Sequence, residues 1–317
     1  MQKAYKNKKE DWNREMLKEI VLIVEKEPPE EESIAFKKMI VKENLKCVWY
    51  VAKTEAGKED RASGAGTEIE KVLAKIDENA TKDNYGILFI SSSPEICGLA
   101  VKGKCSCIAY LGEENKSFDG IPYAVESLEN IDKQYLNRIC RRYAGLPWEI
   151  LRTQRCIVRE MTPEDVDEFY EIYKEPSITA HMEGLYPERA QEIDYIKKYI
   201  KNVYEFFEYG LWTVVEKQSG KIIGRAGISW REETKAVELG YVIAKPFQRQ
   251  GYAYEVCCAI LKYAYDELEM KQVAAYIKKE NEASRALCRK LEFELKGEIT
   301  IRNTEYEKWL KISNSTL

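Results

Sequence analysis

The spacing of apolar residues changes character near the middle of the chain. In the first half, short apolar runs alternate with segments of helical period. EIVLIV (Glu19–Val24), CVWYV (Cys47–Val51), GILFI (Gly86–Ile90) and CSCIAYL (Cys105–Leu111) read as buried strands, with a shorter one around Tyr123–Val125. Helical periods fall at Ser33–Glu43, Thr67–Asn79, Pro94–Val101 and Asp132–Tyr143. This alternation predicts an α/β domain with a mainly parallel sheet covered on both faces. The polar stretch TEAGKEDRASGAG (Thr54–Gly66) reads as a loop. Its GAG does not join a strand directly to a helix, so it is weak ground for a dinucleotide site.

AGLPWEILRTQR (Ala144–Arg155) reads as a hinge, because Gly145 and Pro147 break the preceding helix. It divides the chain into domains at 1–147 and 148–317. The second half opens with strand-like RCIVRE (Arg155–Glu160), then Thr162-Pro163-Glu164-Asp165, a helix start with Thr as cap and Pro at the first position. That helix should run to about Lys174. A longer one is expected over Glu188–Tyr209, with Ile193, Ile196, Ile200, Val203 and Phe207 on one stripe. Three hairpin-linked strands follow: Leu211–Glu216, Lys221–Ser229 and Ala236–Ile243. The pattern predicts an α+β domain with a mixed, mainly antiparallel sheet.

Composition narrows the chemistry. The 317 residues are 44% hydrophobic and 33% charged, as in globular proteins. No apolar run approaches the ~20 residues of a membrane span, and the N-terminal residues lack the apolar core of a signal peptide. The expectation is a cytoplasmic chain with no membrane partner. A net charge of −4 argues against bulk nucleic-acid binding. Nine scattered cysteines read as reduced, mostly buried thiols, and His181 is the only histidine. No metal site is expected, and any Ser-His or Cys-His nucleophile would have to use His181.

One turn stands out. PFQRQGYAYE (Pro246–Glu255) joins a strand to a helix that places Ala253, Val256, Cys257, Ile260, Leu261 and Ala264 on one face. Such a turn presents unpaired N–H groups beside the positive end of the helix, and Gly251 lets an anion come close. A diphosphate is the expected guest. A P-loop would need Gly-Lys-Ser/Thr, and a Rossmann site would need a βαβ setting instead of a meander.

Gln248-Arg249-Gln250-Gly251-Tyr252-Ala253 matches the Q/R-x-x-G-x-G/A turn of the GNAT acetyltransferases. Residues 153–310 resemble that family in order and spacing, particularly its ribosomal-protein N-terminal acetyltransferase branch. The resemblance is carried by TQRCIVREMTPEDVDEFYEIY, VELGYVIAKPFQRQGYAYEV and VAAYIKKENEASRALCRKLEFEL. One departure is Glu292 before Phe293, where the family usually has Gly.

The resemblance implies acetyl-CoA as cosubstrate and direct attack by an amine, from a small molecule or a protein N-terminus. It assigns the diphosphate to Gln248–Ala253 and the acyl end to Val242 and Ile243, with the Val242 N–H polarising the carbonyl. Glu238 is then either the base or a rim charge paired across the sheet. Cys288 is the proton donor to the leaving thiolate or a buried inert thiol, with Ser284 as the alternative donor. Asn281 orients the pantetheine chain or merely caps a helix. His181 falls in a loop that lines the acceptor site in the family.

In the first half, GILFISSSPEICGLAVKGKCSCIAYLG and YAVESLENID resemble the last third of the haloacid-dehalogenase (HAD) fold, a Rossmann-like α/β architecture. Ser91–Ser93 occupy the acidic positions, and no Asp-x-Asp follows an early strand, so phosphatase chemistry is expected to be lost. Such a silent domain would shape the acceptor cleft or a homodimer. The rival expectation is a regulatory protein that binds acetyl-CoA or a phosphometabolite with vestigial turnover.

Overall fold

The computed structural model describes residues 15–51, 84–112 and 116–313. The chain divides into two compact units, Met1–Trp148 and Glu149–Leu317. The expected helix over 67–79 and the loop over 54–66 lie outside the described residues.

The first unit holds strands β1 (Glu19–Val24), β2 (Lys46–Val51), β3 (Asn84–Ser91), β4 (Cys105–Tyr110) and β5 (Ala124–Val125) in one sheet, ordered β2-β1-β3-β4-β5. Every pairing is parallel. Burial on both faces explains the continuous apolar runs. Along β1, Ile20, Leu22 and Val24 join one apolar cluster while Val21 and Ile23 join the other. Helices α1 (Glu30–Lys42), α2 (Pro94–Lys102) and α3 (Lys133–Tyr143) accompany the sheet. Ser93 caps α2 by accepting the Ile96 N–H, and Asp132 caps α3 by accepting the Tyr135 N–H at 2.6 Å.

The second unit is built on an eight-stranded sheet ordered β12-β13-β11-β10-β9-β8-β7-β6. Its strands are β6 (Glu149–Arg152), β7 (Cys156–Arg159), β8 (Leu211–Glu216), β9 (Ile222–Arg231), β10 (Ala236–Ile243), β11 (Gln272–Ile277), β12 (Glu294–Ile301) and β13 (Thr304–Ile312). All neighbours are antiparallel except β10 and β11. Part of the expected hinge is thus the edge strand β6, whose Ile150 packs inward.

Helices α4 (Val166–Tyr173), α5 (Pro176–Thr179), α6 (Arg189–Tyr199) and α7 (Glu205–Phe207) lie between β7 and β8 in the chain. After β10 come α8 (Tyr252–Asp266) and α9 (Glu282–Lys290). The single long helix expected over 188–209 is interrupted by a π-helical turn at Ile200–Tyr204. The extra residue in that turn rotates the stripe. Tyr204 becomes fully buried, and Phe207 is left exposed.

A buried charge cluster anchors the start of the domain. Asp165 accepts two bonds from the Arg159 guanidinium, at 2.6 and 2.7 Å, and one from the Thr213 hydroxyl at 2.9 Å. It also accepts the Thr162 N–H at 3.0 Å, tying the first turn of the helical segment to β7 and β8. With four hydrogen bonds accepted, this carboxylate is held at no exposure.

The departure at Glu292 leaves the end of α9 intact. Phe293 donates its N–H to the Cys288 carbonyl at 2.9 Å, Glu292 donates to Arg289 at 3.0 Å, and Phe293 is buried. Glu292 reaches this geometry at φ 62°, a left-handed conformation that disfavours a side chain. Glu292→Gly should therefore stabilise the unit by about 1 kcal/mol, read as a higher urea midpoint. Its exposed ion pair to Lys311 is worth little by comparison. An unchanged or lower midpoint would show that no strain is stored there.

Candidate active site

The site begins with a ladder that stops short. β10 pairs with β9 along its whole length, from Ala236 opposite Arg231 to Ile243 opposite Gly224. With β11 it pairs at one position only, Glu238 opposite Ala274. Beyond that point the two parallel strands part, and one edge of β10 loses its partner.

The ladder also decides which amides are free. Ala244 donates its N–H to the Ile223 carbonyl on β9 at 2.7 Å. Antiparallel pairing alternates, so the even-numbered residues of β10 direct their N–H and C=O groups at β9. The Val242 N–H is therefore spent in the ladder. The expectation that it polarises an acyl carbonyl is corrected: the amides directed toward the gap belong to Tyr241 and Ile243. Among the residues expected at the acyl end, Ile243 directs its N–H toward the gap, and Tyr241 does the same. At the far end the Gln248 side chain donates to the Ile243 carbonyl at 2.8 Å, fastening the turn to the strand it leaves.

After β10 the chain makes a short 3₁₀ turn at Lys245–Phe247, and α8 starts at Tyr252 with Gly251 as its cap. Gly251 sits at φ 85°, which favours glycine, and Arg249 adopts φ 62°. No side chain caps α8, so the N–H groups of its first turn have no partner from the usual capping oxygen. Gln250 folds back to donate to the Pro246 carbonyl at 2.7 Å. Arg249 and Gln250 are exposed, Tyr252 is buried and Ala253 is half-buried. The result is a concave set of N–H donors at a helix start, suited to an oxyanion.

Arg155, from the residue just before β7, braces this turn. Its guanidinium donates to the Gln250 carbonyl at 2.9 Å and to Glu255 at 2.7 Å, and lies 4.0 Å from the centre of the Tyr252 ring. Its backbone N–H donates to Glu255 as well, at 2.7 Å. Glu255 is held below the usual carboxylate range: burial pushes its pKa up, but bonds from Thr153 and from the Arg155 amide and guanidinium outweigh it. Sequence reading missed Arg155 because it lies almost a hundred residues from the turn it supports.

Glu238 sits at the mouth of the gap, mostly buried, with the Arg231 Nε 2.5 Å from its carboxylate. Burial pushes its pKa up and Arg231 pulls it down, with a net rise. Glu238 is paired across the sheet with Arg231, and it lies on the face it shares with Gly240 and Val242. A Cβ built at Gly240 would meet nothing within 4 Å, so the strand leaves open space beside the carboxylate. Val242 packs instead among Ile172, Tyr173, Ile178 and Ala244.

On the opposite face of β10, the Tyr241 hydroxyl donates to Ser284 at 2.9 Å. Asn281 caps α9, its Oδ1 accepting the Ser284 N–H at 3.1 Å, which leaves its amide nitrogen available. Cys288 is 2% exposed and burial pushes its thiol up to about 12. A group that holds its proton this tightly cannot usefully hand it to an ordinary thiolate near 8.5. Its burial and raised thiol pKa both weigh against Cys288 as the proton donor. No hydrogen bond or ion pair joins His181 to Glu238 among the described residues, and its buried Nδ1 has no partner. All nine cysteines are free.

Residues 155–294 match the model of the acetyltransferase (GNAT) domain. The chain is 26% identical over 152 residues to the uncharacterized N-acetyltransferase YoaA of Bacillus subtilis (strain 168), covering 47% of this chain and 84% of that protein. It is 25% identical over 162 residues to the uncharacterized N-acetyltransferase p20 of Bacillus licheniformis, covering 50% and 88% respectively. A solved acetyltransferase from Agrobacterium tumefaciens is 21% identical with a TM-score of 0.46, covering 51% of this chain and 94% of that one. Residues 155–294 of the C-terminal unit carry an acetyltransferase domain of the GNAT type, and that unit is an acyltransferase.

Proposed function

We propose that the C-terminal unit moves an acetyl group from acetyl-CoA to a primary amine by direct attack. The observation that carries this reading is the adjacency of the open β10 edge and the uncapped start of α8. The diphosphate would lie against the N–H groups of Gln248–Ala253, with Arg249 adding charge. The pantetheine would run into the gap, its amides completing the ladder that β11 abandons. The Tyr241 and Ile243 N–H groups are the donors available to its carbonyls and to the thioester oxygen. The Asn281 amide nitrogen would take a further pantetheine carbonyl.

The amine would occupy the open space over Gly240, within reach of Glu238. An amine near pKa 8–10 is largely protonated at neutral pH, so a carboxylate there assists deprotonation. Ser284, already bonded to Tyr241, is the donor nearest in kind for the leaving thiolate. Glu238 is paired with Arg231, and the buried Glu192 lies within the field of Arg225. With each carboxylate matched by an arginine, this face suits an acceptor with one amine, such as a peptide N-terminus, better than a polyamine. The N-terminal unit contributes no phosphatase chemistry in this reading. Ser92 accepts the Glu25 N–H at 2.9 Å and Ser91 accepts the Ser93 N–H at 3.1 Å, at the strand end where acids would be required.

Acetyl-CoA should raise the melting temperature of the wild type, since about 100-fold saturation adds about 2.7 kcal/mol. The double variant Arg249→Glu/Gly251→Trp should lose that rise. A wild-type response in the double variant would remove the turn from the site. CoA release with single-amine peptides, small amines and a polyamine then tests turnover, with the peptides expected to outpace the polyamine.

Removing Arg231 takes away the charge that lowers the Glu238 pKa. The base works only when ionised, so the acid limb of kcat/KM should move to higher pH in Arg231→Met. An unmoved limb would demote Glu238 to a rim charge.

A further inference from the structure

Tyr276 has no place in the scheme above, yet its surroundings point to a ligand. It lies two residues beyond Ala274, the residue paired with Glu238. Parallel register puts it level with Gly240 and on the face that Glu238 occupies. The Arg231 guanidinium, bound to Glu238, is 5.6 Å from the centre of the Tyr276 ring. The ring packs in a cluster with Ala274, Ile301, Ala236 and Tyr306.

The ring is 8% exposed, and its buried hydroxyl has no hydrogen-bond partner. The buried Tyr204 and the half-buried Tyr199 and Tyr241 of the same unit each have a partner for the hydroxyl. Tyr204 donates to the Leu211 carbonyl, Tyr199 accepts the Leu211 N–H at 2.8 Å, and Tyr241 donates to Ser284. An unsatisfied buried hydroxyl costs free energy that phenylalanine would avoid. The missing Cβ of Gly240 opens space level with it.

We propose that the Tyr276 hydroxyl contacts the acceptor amine and orients it for attack. This rests on the acetyl-transfer reading. The incoming ammonium first passes one proton by way of Glu238 to solvent water; the neutral amine that results has two N–H bonds, one pointing to the ionised Glu238 and the other to the Tyr276 oxygen, and its lone pair faces the thioester carbon. The C–N bond forms as the C–S bond breaks, the electron pair leaves with sulfur, and the surplus N–H proton passes to Glu238. Arg231 lies across this approach. An incoming ammonium competes with it for the Glu238 carboxylate and uncovers the hydroxyl.

The test is Tyr276→Phe in the full chain, using the most active amine from the CoA-release panel. The kcat/KM for that amine should fall about tenfold, the worth of one hydrogen bond, while the KM for acetyl-CoA stays unchanged. The variant without ligand should melt at or above the wild type, because it loses a hydroxyl that nothing in the folded chain satisfies. A kcat/KM within about twofold of wild type overturns the assignment, as does a melting point several degrees lower. If the wild type turns over and Tyr276→Phe matches it, only Tyr276 is reassigned. If the wild type binds acetyl-CoA but acetylates no amine, the acceptor role falls together with the transferase reading.

Discussion

Hydrogen bonds that β10 does not make with β11 govern the chemistry of the C-terminal unit. A parallel pair that meets at Glu238 and Ala274 and then parts leaves the Tyr241 and Ile243 amides without a strand partner. Backbone groups in the middle of a sheet are normally paired, so an opening there has to be held open. Here the ladders on either side hold it: β10 is fixed to β9 over its full length, and β11 to β13 from Gln272 to Ile277. The Gln248 side chain and Arg155 then pin the turn that closes the far end. In the proposed reading, a pantetheine chain, with its own amides, would fill the opening as a missing strand would.

Charge is arranged around this opening with the same economy. Arg159 and Asp165 form a buried pair joined by two hydrogen bonds and have a structural role. Arg231 and Glu238 are also paired, but at the mouth of the gap, where an incoming cation can compete for the carboxylate. The difference is burial: the first pair is closed to solvent, while Arg231 keeps about a third of its side chain exposed. One pair is closed off inside the fold, and the other is the one the proposed reaction would use.

Local features were readable in the sequence; features fixed by pairing were not. The parallel sheet of the first unit showed itself in apolar runs, and the turn at Gln248–Ala253 in its bare spacing. Both depend on neighbours along the chain. The parity of the β10 amides did not show. Side chains and N–H groups both repeat every second residue, but which N–H groups face β9 depends on the hairpin register. The resemblance therefore points to Val242, while the ladder leaves the Tyr241 N–H facing the gap. The π-helical turn at Ile200–Tyr204 and the edge strand at Glu149–Arg152 escaped for a related reason, since tertiary packing outweighs local period at both. Arg231 beside Glu238, and Arg155 beside Gln250, are contacts between strand or loop ends that no local pattern reports.

The account is tested most directly by amide hydrogen exchange at Tyr241 and Ile243, with and without saturating acetyl-CoA. It predicts rapid exchange at both amides in the free protein and marked slowing in the complex, with Val242 slow throughout. If acetyl-CoA binds and both amides keep exchanging at the free rate, the gap between β10 and β11 is not where the coenzyme lies.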